Sequence, residues 1–225
     1  SLASARGHHF ATTLINGEIL VSGGLGASGV LKSTELYDPD TNTFRACPAL
    51  IKERQHHSSR LLPNGLVLIS GCNTNPSSNW DVQTNFLSSA ELYDVVTNTI
   101  TPTGSKINAT SSSGGTAVLW TGRYLVAGGG TNAAELYTPE MPGTPNTWVA
   151  TGTMLVPRTG HQINLLDDAR VLLTGGVPDS TGTSNLLTTS AALSQTSLEQ
   201  MLIQIRQASD PRGKKIRLIP KKLVI

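Results

Sequence analysis

Short apolar runs alternate with glycines and polar segments along most of the chain. Four such runs are followed within two residues by a Gly-Gly or Gly-Cys pair, and they are Ile19–Val21, Val67–Ile69, Tyr124–Ala127 and Val171–Leu173. Continuous apolar runs of this length are typical of β-strands that are buried on both faces. Asn-Gly pairs at 16–17 and 64–65 predict hairpin turns with positive φ at both central residues. The pattern therefore predicts an all-β fold built from short strands.

The apolar runs belong to a longer module that recurs in a fixed order. A complete module opens with Arg-x-His-His, continues through the apolar run and its glycines, and closes with Glu-Leu-Tyr. The glycines Gly23, Gly71, Gly128 and Gly175 follow one another at intervals of about 50 residues. The third module has Ser111–Gly115 where Arg-x-His-His is expected, and the fourth has no Glu-Leu-Tyr. A repeat of this length predicts an architecture in which each module forms one structural unit.

The order of these motifs over residues 5–176 resembles that of the kelch β-propeller family. The shared features are an apolar strand, a Gly-Gly pair, a variable loop and a strand that ends in Glu-Leu-Tyr-Asp, as at 35–38 and 91–94. The resemblance implies kelch-type propeller blades over residues 1–177. Four glycine-ended strands correspond to about 3.5 blades, whereas closed propellers typically have 4–8. We therefore expect an incomplete propeller, and we favour a fragment over a homo-oligomer or an arc capped by its own C-terminal segment.

The composition changes after Gly176. Residues 178–193 predict a linker, because Ser and Thr dominate this segment. Residues 194–225 predict a short helix followed by a β-hairpin. The helix has an apolar stripe with the spacing of one helical face, formed by Leu198, Met201, Leu202 and Ile205.

This C-terminal segment is basic, since residues 199–225 hold 7 of the 17 Lys and Arg. Through the sequences at 210–216 and 219–225 it resembles one segment of tailed-phage major capsid proteins of the HK97-like and Mu-like head-subunit type. The resemblance implies a virion structural protein that carries a propeller for host attachment, with capsid subunits as partners. Nucleic acid is not a favoured partner, because lysine clusters of this size are common on solvated surfaces.

The overall composition leaves the compartment open. The chain has 225 residues, of which 38% are hydrophobic and 14% charged, and its net charge is +2. No apolar run is long enough to cross a bilayer as a helix. Cys47 and Cys72 are the only cysteines, and a disulfide between them is as compatible with the sequence as two thiols. An extracellular or virion location is favoured over a cytoplasmic one.

Arginine and histidine recur with the module and form one candidate set of binding residues. The set comprises Arg6, His8, Arg54, His56, Arg158 and His161. Because equivalent repeat positions are related by rotation about a propeller axis, these side chains are expected on one face or in the channel. The favoured interpretation is structural, with the arginines bridging blades through carbonyls and carboxylates such as Glu35 or Glu91. We predict no metal site, since no Cys or carboxylate stands beside the histidines at ligand spacing.

The variable loops form a second candidate set. The longest spans residues 73–87, where Trp80, Asp81 and Phe86 stand among small polar residues. Exposed aromatic side chains in such a setting suit contact with a protein or a carbohydrate, although Trp80 packed beneath its own loop is an equally weighted alternative. The sequence therefore predicts a non-enzymatic scaffold, without a cofactor, that binds a protein or glycan ligand through its loops.

A kelch-like enzyme provides the least favoured alternative. The segment Gly17–Gly24 resembles blades of galactose oxidase, whose copper site needs a crosslinked Cys–Tyr pair, a second Tyr and two His. Three of the four tyrosines here belong to the repeated Glu-Leu-Tyr, and no Tyr–Cys pairing stands outside the repeat. We therefore predict no catalytic residue.

Overall fold

The computed structural model describes residues 1–75, 85–109, 115–139 and 146–178. Sixteen β-strands and their connections make up these ranges, and no helix lies within them. This observation confirms the prediction of an all-β fold. Every strand pairing in these ranges is antiparallel. The predicted C-terminal helix and hairpin, and nearly all of the predicted linker, lie outside the described residues.

Each of the first three modules forms one four-stranded sheet. The first sheet consists, in spatial order, of β1 (Phe10–Thr13), β2 (Ile19–Ser22), β5 (Thr34–Asp38) and β6 (Thr43–Cys47). The second consists of β7 (Ser58–Leu61), β8 (Val67–Ser70), β9 (Ala90–Asp94) and β10 (Thr99–Pro102). The third consists of β11 (Gly115–Val118), β12 (Tyr124–Ala127), β13 (Ala134–Thr138) and β14 (Thr147–Ala150).

The remaining strands form two smaller units. A hairpin of β3 (Leu25–Gly26) and β4 (Gly29–Val30) lies in the connection between β2 and β5. The fourth module forms a two-stranded sheet of β15 (Arg158–Leu165) and β16 (Val171–Pro178). These sheets agree with a propeller-type arrangement, and the number of blades stays a prediction.

The apolar runs form the second strand of each sheet. All four residues of β8 and all four of β12 are buried, as the continuous apolar pattern predicts. Their register also repeats, because a leucine of the second strand always lies opposite the leucine of Glu-Leu-Tyr. The pairs are Leu20 with Leu36, Leu68 with Leu92, and Leu125 with Leu136.

Two apolar clusters fill the seams between consecutive sheets. Leu20 and Leu36 of the first sheet form a cluster with Val67, Ile69 and Tyr93 of the second. The next cluster repeats this composition one sheet further on, with Leu68, Leu92, Tyr124, Val126 and Tyr137. Full burial of one such side chain contributes about 1.5–3 kcal/mol, so the seams supply much of the energy that holds neighbouring sheets together.

The Asn-Gly turns differ from the prediction in one respect. Gly17 has a φ of 87°, whereas Asn16 has no positive φ. The N–H of Leu14 donates to the carbonyl of Glu18, so three residues form the loop, and the left-handed position falls on the glycine alone. The side chain of Asn16 instead accepts a hydrogen bond from the N–H of Glu18. The expectation of positive φ at both central residues is therefore wrong.

The two cysteines do not form a disulfide with each other. Cys72 is buried and Cys47 is half-buried, with its sulfur 2.8 Å from the hydroxyl of Thr34. Burial raises the pKa of the Cys47 thiol, which disfavours the reactive thiolate. Within the described ranges no helix is long and apolar enough to span a membrane.

Candidate binding surface

The arginine at the start of the first module is buried and saturated with hydrogen bonds. Arg6 donates from Nη1 to the carbonyls of Gly23 and Ser33, both at 2.9 Å. Its Nη2 donates to Glu35 at 2.6 Å, and the two charged side chains are 0% and 5% exposed. Such a buried pair is satisfied internally, so Arg6 offers no free donor to a ligand.

Arg54 repeats this arrangement in the second module. Its Nη1 donates to the carbonyls of Gly71 and Ser89 at 2.9 and 3.3 Å, and its Nη2 lies 2.5 Å from Glu91. These bonds connect strands of one sheet, whereas the sequence interpretation placed them between blades. In the fourth module, Arg158 makes the first of these contacts, to Gly175 at 3.0 Å.

The main chain of the arginine, rather than its side chain, joins consecutive sheets. The N–H of Gly24 donates to the carbonyl of Arg54 at 2.9 Å, and Gly129 does the same to Arg158 at 3.0 Å. A Cβ at Gly23 would lie less than 3.0 Å from the Arg54 carbonyl. The Gly-Gly pair is therefore required because the backbone of the next sheet approaches it closely.

Four of the five histidines form two sets, and the fifth, His9, is exposed. His57 and His161, each three residues after an arginine, are buried in the seams between sheets. His57 Nε2 lies 2.8 Å from the hydroxyl of Ser22, and His161 Nε2 accepts the N–H of Gly115 at 3.1 Å. Because a backbone amide can only donate, the proton of neutral His161 resides on Nδ1. Burial lowers the pKa of His57 to about 3 and also lowers the pKa of His161.

His8 and His56 form the other set, and their rings lie close together with a tilt of 37° between their planes. Their ring centroids are 4.0 Å apart, and the N–H of His56 donates to the carbonyl of His8 at 2.9 Å. Both residues lie in the left-handed region, with φ of 54° and 53°, which is uncommon for a residue other than glycine. Burial, followed by the charge of neighbouring His8, lowers the pKa of His56 to about 4. This pair brings two of the predicted site residues together at the junction of the first and second sheets.

The crossover loops, which join the second and third strands of a sheet, begin beside this histidine pair. Gly7 pairs with Leu25 through two backbone hydrogen bonds of 2.9 and 2.7 Å, and Gln55 pairs with Asn73. Asn73 in turn pairs with Phe86 near the end of its loop. We use the term crossover face for the surface formed by Gly7, His8, Leu25–Val30, His56 and Phe86. Gln55 and Asn73, which pair with each other, are buried next to it.

Phe86 is the one predicted aromatic binding residue whose position is described, and it is 37% exposed. Trp80 and Asp81 lie outside the described residues, so their predicted role stays a prediction. Sequence reasoning missed Gln55 and Asn73, whose side-chain amides also contact each other at 3.3 Å. A signal was present, because Gln55 stands where the first module has glycine and thus varies within an otherwise constant motif.

A buried lysine, Lys106, lies near Glu135 ahead of the third sheet. The N–H of Lys106 donates to Ser88 as the N–H of Leu50 donates to Lys32, so Lys106 occupies a position that is apolar in the second module. The lysine is 4% exposed. Burial lowers its pKa to about 8, and Glu135 opposes this shift. Glu135 itself accepts the N–H groups of Ile107 and Asn108.

The described ranges contain no group of three or more His, Cys, Asp or Glu side chains placed to hold a metal ion. His8 and His56 are close to each other, whereas His57 and His161 are engaged with groups of neighbouring sheets. The absence of a metal site and of a cofactor stays a prediction for the whole chain.

Comparisons with known proteins agree with this geometry. The Kelch motif family model matches residues 6–50, which cover the first sheet and its buried Arg6. The solved structure of YjhT is similar to this chain, with a TM-score of 0.61 and 14% sequence identity between them. The match covers 77% of this chain and 60% of that chain. The chain therefore spans about 60% of the length of that neighbour. No curated protein matches the sequence significantly. None of these matches supports the capsid resemblance or the copper oxidase alternative.

The contacts of the matched module recur in the second sheet. The motif-bearing residues Arg6, Gly23 and Glu35 lie within the matched range and recur in the second sheet as Arg54, Gly71 and Glu91. Residues 6–50 therefore match one Kelch motif, and the described fold is similar to that of YjhT.

Proposed function

We propose that the protein is a non-enzymatic binding scaffold whose crossover face recognises a protein partner. One observation carries this proposal. The framework repeats contact by contact from sheet to sheet, whereas the crossover loops attached to it differ in length and sequence. They run from Gly23 to Ser33, from Gly71 to Ser89 and from Gly128 to Ala133. Variable loops held on a constant frame are the usual location of binding residues.

The chemistry of the crossover face supports a protein ligand. The tip of the β3–β4 hairpin exposes Ala27 and Ser28, and Phe86 presents an aromatic ring partly to solvent. The His8 ring is exposed beside half-buried His56. Small polar residues around an aromatic group suit a polar interface with a few apolar anchors. The glycan partner expected from the sequence is an alternative outcome of the test.

The structure offers two matched arginine substitutions for the test. Ala27→Arg places a long cation at the tip of the β3–β4 hairpin, within the crossover face. Val96→Arg places the same group in the turn between β9 and β10, at the opposite ends of the strands, where Val96 is 88% exposed. Both positions are exposed, so neither substitution disturbs the cores between sheets.

The experiment compares proteins captured from source cells by the wild-type chain and by these variants, followed by affinity measurements with each recovered partner. We expect Ala27→Arg and Phe86→Ala to weaken binding by at least about tenfold, as substitutions at interface centres do, and Val96→Arg to leave it unchanged. A partner that binds all three variants equally would place the site elsewhere. Binding on a glycan array, abolished by Phe86→Ala without any protein partner, would replace the proposal with carbohydrate recognition.

A further inference from the structure

Two loops of the structure carry the same pair of residues in the same backbone conformation. Asn16-Gly17 and Asn64-Gly65 are the two Asn-Gly pairs of the sequence, and their glycines have φ of 87° and 85°. In each loop the glycine N–H donates to the leucine carbonyl three residues earlier, at 3.1 Å from Gly17 and 2.9 Å from Gly65. The two loops therefore form a matched pair in which the asparagine side chains can be compared.

An Asn-Gly pair can lose ammonia without an enzyme. The backbone nitrogen of the glycine, once its proton is lost to base, attacks the side-chain carbon Cγ of the asparagine. The new C–N bond closes a succinimide ring while the Cγ–Nδ2 bond breaks, and the leaving amide takes up a proton and departs as ammonia. Water then opens the ring at one of its two carbonyls and gives either aspartate or isoaspartate. Glycine favours the attack because no Cβ obstructs the approach to its nitrogen.

The side chain of Asn16 is held at both ends of its amide group. Its Oδ1 accepts the N–H of Glu18 at 3.2 Å, and its Nδ2 donates to Oε2 of Glu18 at 2.7 Å. Glu18 is fixed in turn by Arg45, whose Nη2 lies 2.8 and 3.0 Å from the two carboxylate oxygens. Rotation of the Asn16 amide toward the nitrogen of Gly17 therefore breaks a charge-assisted hydrogen bond.

The side chain of Asn64 is held at one end only. Its Oδ1 accepts the N–H of Leu66 at 3.2 Å, which is the contact that Oδ1 of Asn16 makes in the first loop. Leu66 stands where the first loop has Glu18, and its apolar side chain offers no acceptor to Nδ2 of Asn64. Asn64 is also exposed, so water has access to its amide group. One hydrogen bond fewer therefore opposes rotation of the Asn64 amide.

We propose that Asn64 is a site of spontaneous deamidation in the folded protein, and that the Glu18–Arg45 ion pair protects Asn16 from the same reaction. Both loops open before they react, because the glycine N–H is engaged in each, and exposed loops open at a low cost in free energy. After opening, the amide of Asn64 rotates into the attack geometry more readily than the doubly held amide of Asn16. One hydrogen bond to a charged group corresponds to about tenfold in rate. This modification is independent of the function proposed for the crossover face.

The two products differ in their effect on the loop. Both add a negative charge at position 64. Isoaspartate also places an additional methylene in the main chain, although the loop is closed by a bond of 2.8 Å from the N–H of Leu62 to the carbonyl of Leu66. Isoaspartate is therefore expected to loosen the turn between β7 and β8. Aspartate is expected to leave the turn intact, because its carboxylate also accepts the N–H of Leu66.

Ageing of the full chain at mildly alkaline pH tests the proposal. Peptide mass spectrometry locates each asparagine that has become an acid, and methylation by an isoaspartyl methyltransferase measures the isoaspartate formed. We expect Asn64 to react about tenfold faster than Asn16 in the folded protein. In denaturant the two asparagines are expected to react at similar rates, since the protecting contacts are then lost. Equal rates in the folded protein would overturn the proposal, as would an Asn64 that reacts only in the denatured chain.

The variant Glu18→Ala identifies the protecting contact. It removes the acceptor of Asn16 Nδ2 and is expected to raise the Asn16 rate about tenfold, toward that of Asn64, and to leave the Asn64 rate unchanged. Glu53→Ala is the matched control, because Glu53 is a surface carboxylate that pairs with Lys32 away from both loops, and both rates are expected to stay unchanged. Denaturant unfolding verifies that each variant is folded. An Asn16 rate that falls in Glu18→Ala would show that the carboxylate promotes the reaction, and would overturn the protecting role of Glu18.

Discussion

The N–H of Gly24 donates to the carbonyl oxygen of Arg54 at 2.9 Å across the seam between the first and second sheets. The same residue, Arg54, uses its side chain to bind Glu91 within the second sheet. One arginine therefore organises its own sheet and also contacts the preceding one. This dual role explains why arginine and the Gly-Gly pair recur together in the sequence.

The first prediction concerns the glycine beside this contact. Gly23→Ala is expected to destabilise the protein by about 2–4 kcal/mol, because its Cβ would collide with the Arg54 carbonyl in addition to having a positive φ. Denaturant unfolding measures the change. Gly17→Ala is the control, since Gly17 also has a positive φ but a Cβ there meets nothing within 4 Å. That variant is expected to cost only about 1 kcal/mol. Equal costs for the two variants would show that the close approach is unimportant.

The second prediction compares two ion pairs. Arg54→Met is expected to cost about 3–5 kcal/mol, because it leaves the carboxylate of Glu91 buried without its cation. Arg45→Met is the control and is expected to cost at most about 1 kcal/mol, since the Arg45 side chain is 51% exposed and pairs with Glu18 at the surface. Unfolding in denaturant distinguishes the two. A similar small loss for both would contradict the assignment of Arg54 as a structural anchor.

The strands were predictable because their signal is local and repeated. Burial on both faces follows directly from the apolar run Val67–Ile69, and the turn at Asp94 follows from a side chain that binds its own backbone. The blade-like sheets were predictable because the motifs occur in the same order in every complete module. The pairing of the strands could therefore be inferred from several copies of the repeat and did not depend on any single strand.

The candidate surface was only partly predictable. The expected set included His161 with His8 and His56, but a shift of one position along the motif places His161 in a seam beside Gly115. Adjacent residues of this motif differ in burial, since His56 is half-buried whereas His57 is buried, so one position decides between surface and core. The burial of Lys106 could not be predicted from the sequence, because its equivalence to Leu50 is visible only in the backbone hydrogen bonds.

The third prediction is a loss of stability in mild acid that depends on His57. Its pKa is about 3 in the folded protein, below the ordinary value of 6.5. Between these two values the unfolded state binds more protons, so stability decreases as the pH falls from 6.5 toward 3 and is unaffected by this group above 6.5. His57→Gln retains a polar partner for Ser22. It is expected to reduce the slope of the unfolding free energy against pH by up to about 1.4 kcal/mol per pH unit.

Unfolding free energies between about pH 7 and pH 5 test this, because most carboxylates stay ionised in that range. His56→Gln is the companion variant, since burial also lowers the pKa of His56, to about 4, and it is less buried than His57. The change in this slope is expected to have the same sign as in His57→Gln and a smaller size. If the slope is unchanged in His57→Gln, the His57 ring of the wild-type protein is not buried as a neutral group.

The last prediction concerns Lys106 and an opposite pH range. Its folded pKa of about 8 lies below the ordinary 10.5, so between these values the unfolded state again binds more protons. The penalty for burying its cation is relieved as the pH rises, and stability is expected to increase from pH 8 toward pH 10. Lys106→Met removes this titration, because an apolar residue occupies the equivalent position in the second module at Leu50.

The measurement is the difference in unfolding free energy between wild type and Lys106→Met as a function of pH. Taking the difference removes the effect of Cys47, whose raised pKa acts in the opposite direction in both proteins. Points above pH 10 are less informative, since burial raises the pKa of Tyr93 to about 12 and its ionisation then destabilises the fold. The difference is expected to favour the methionine variant at pH 7 and to shrink toward pH 10. If Glu135 stabilises the lysine cation fully, wild type will instead be the more stable protein at pH 7, and its advantage will decline as the lysine loses its proton.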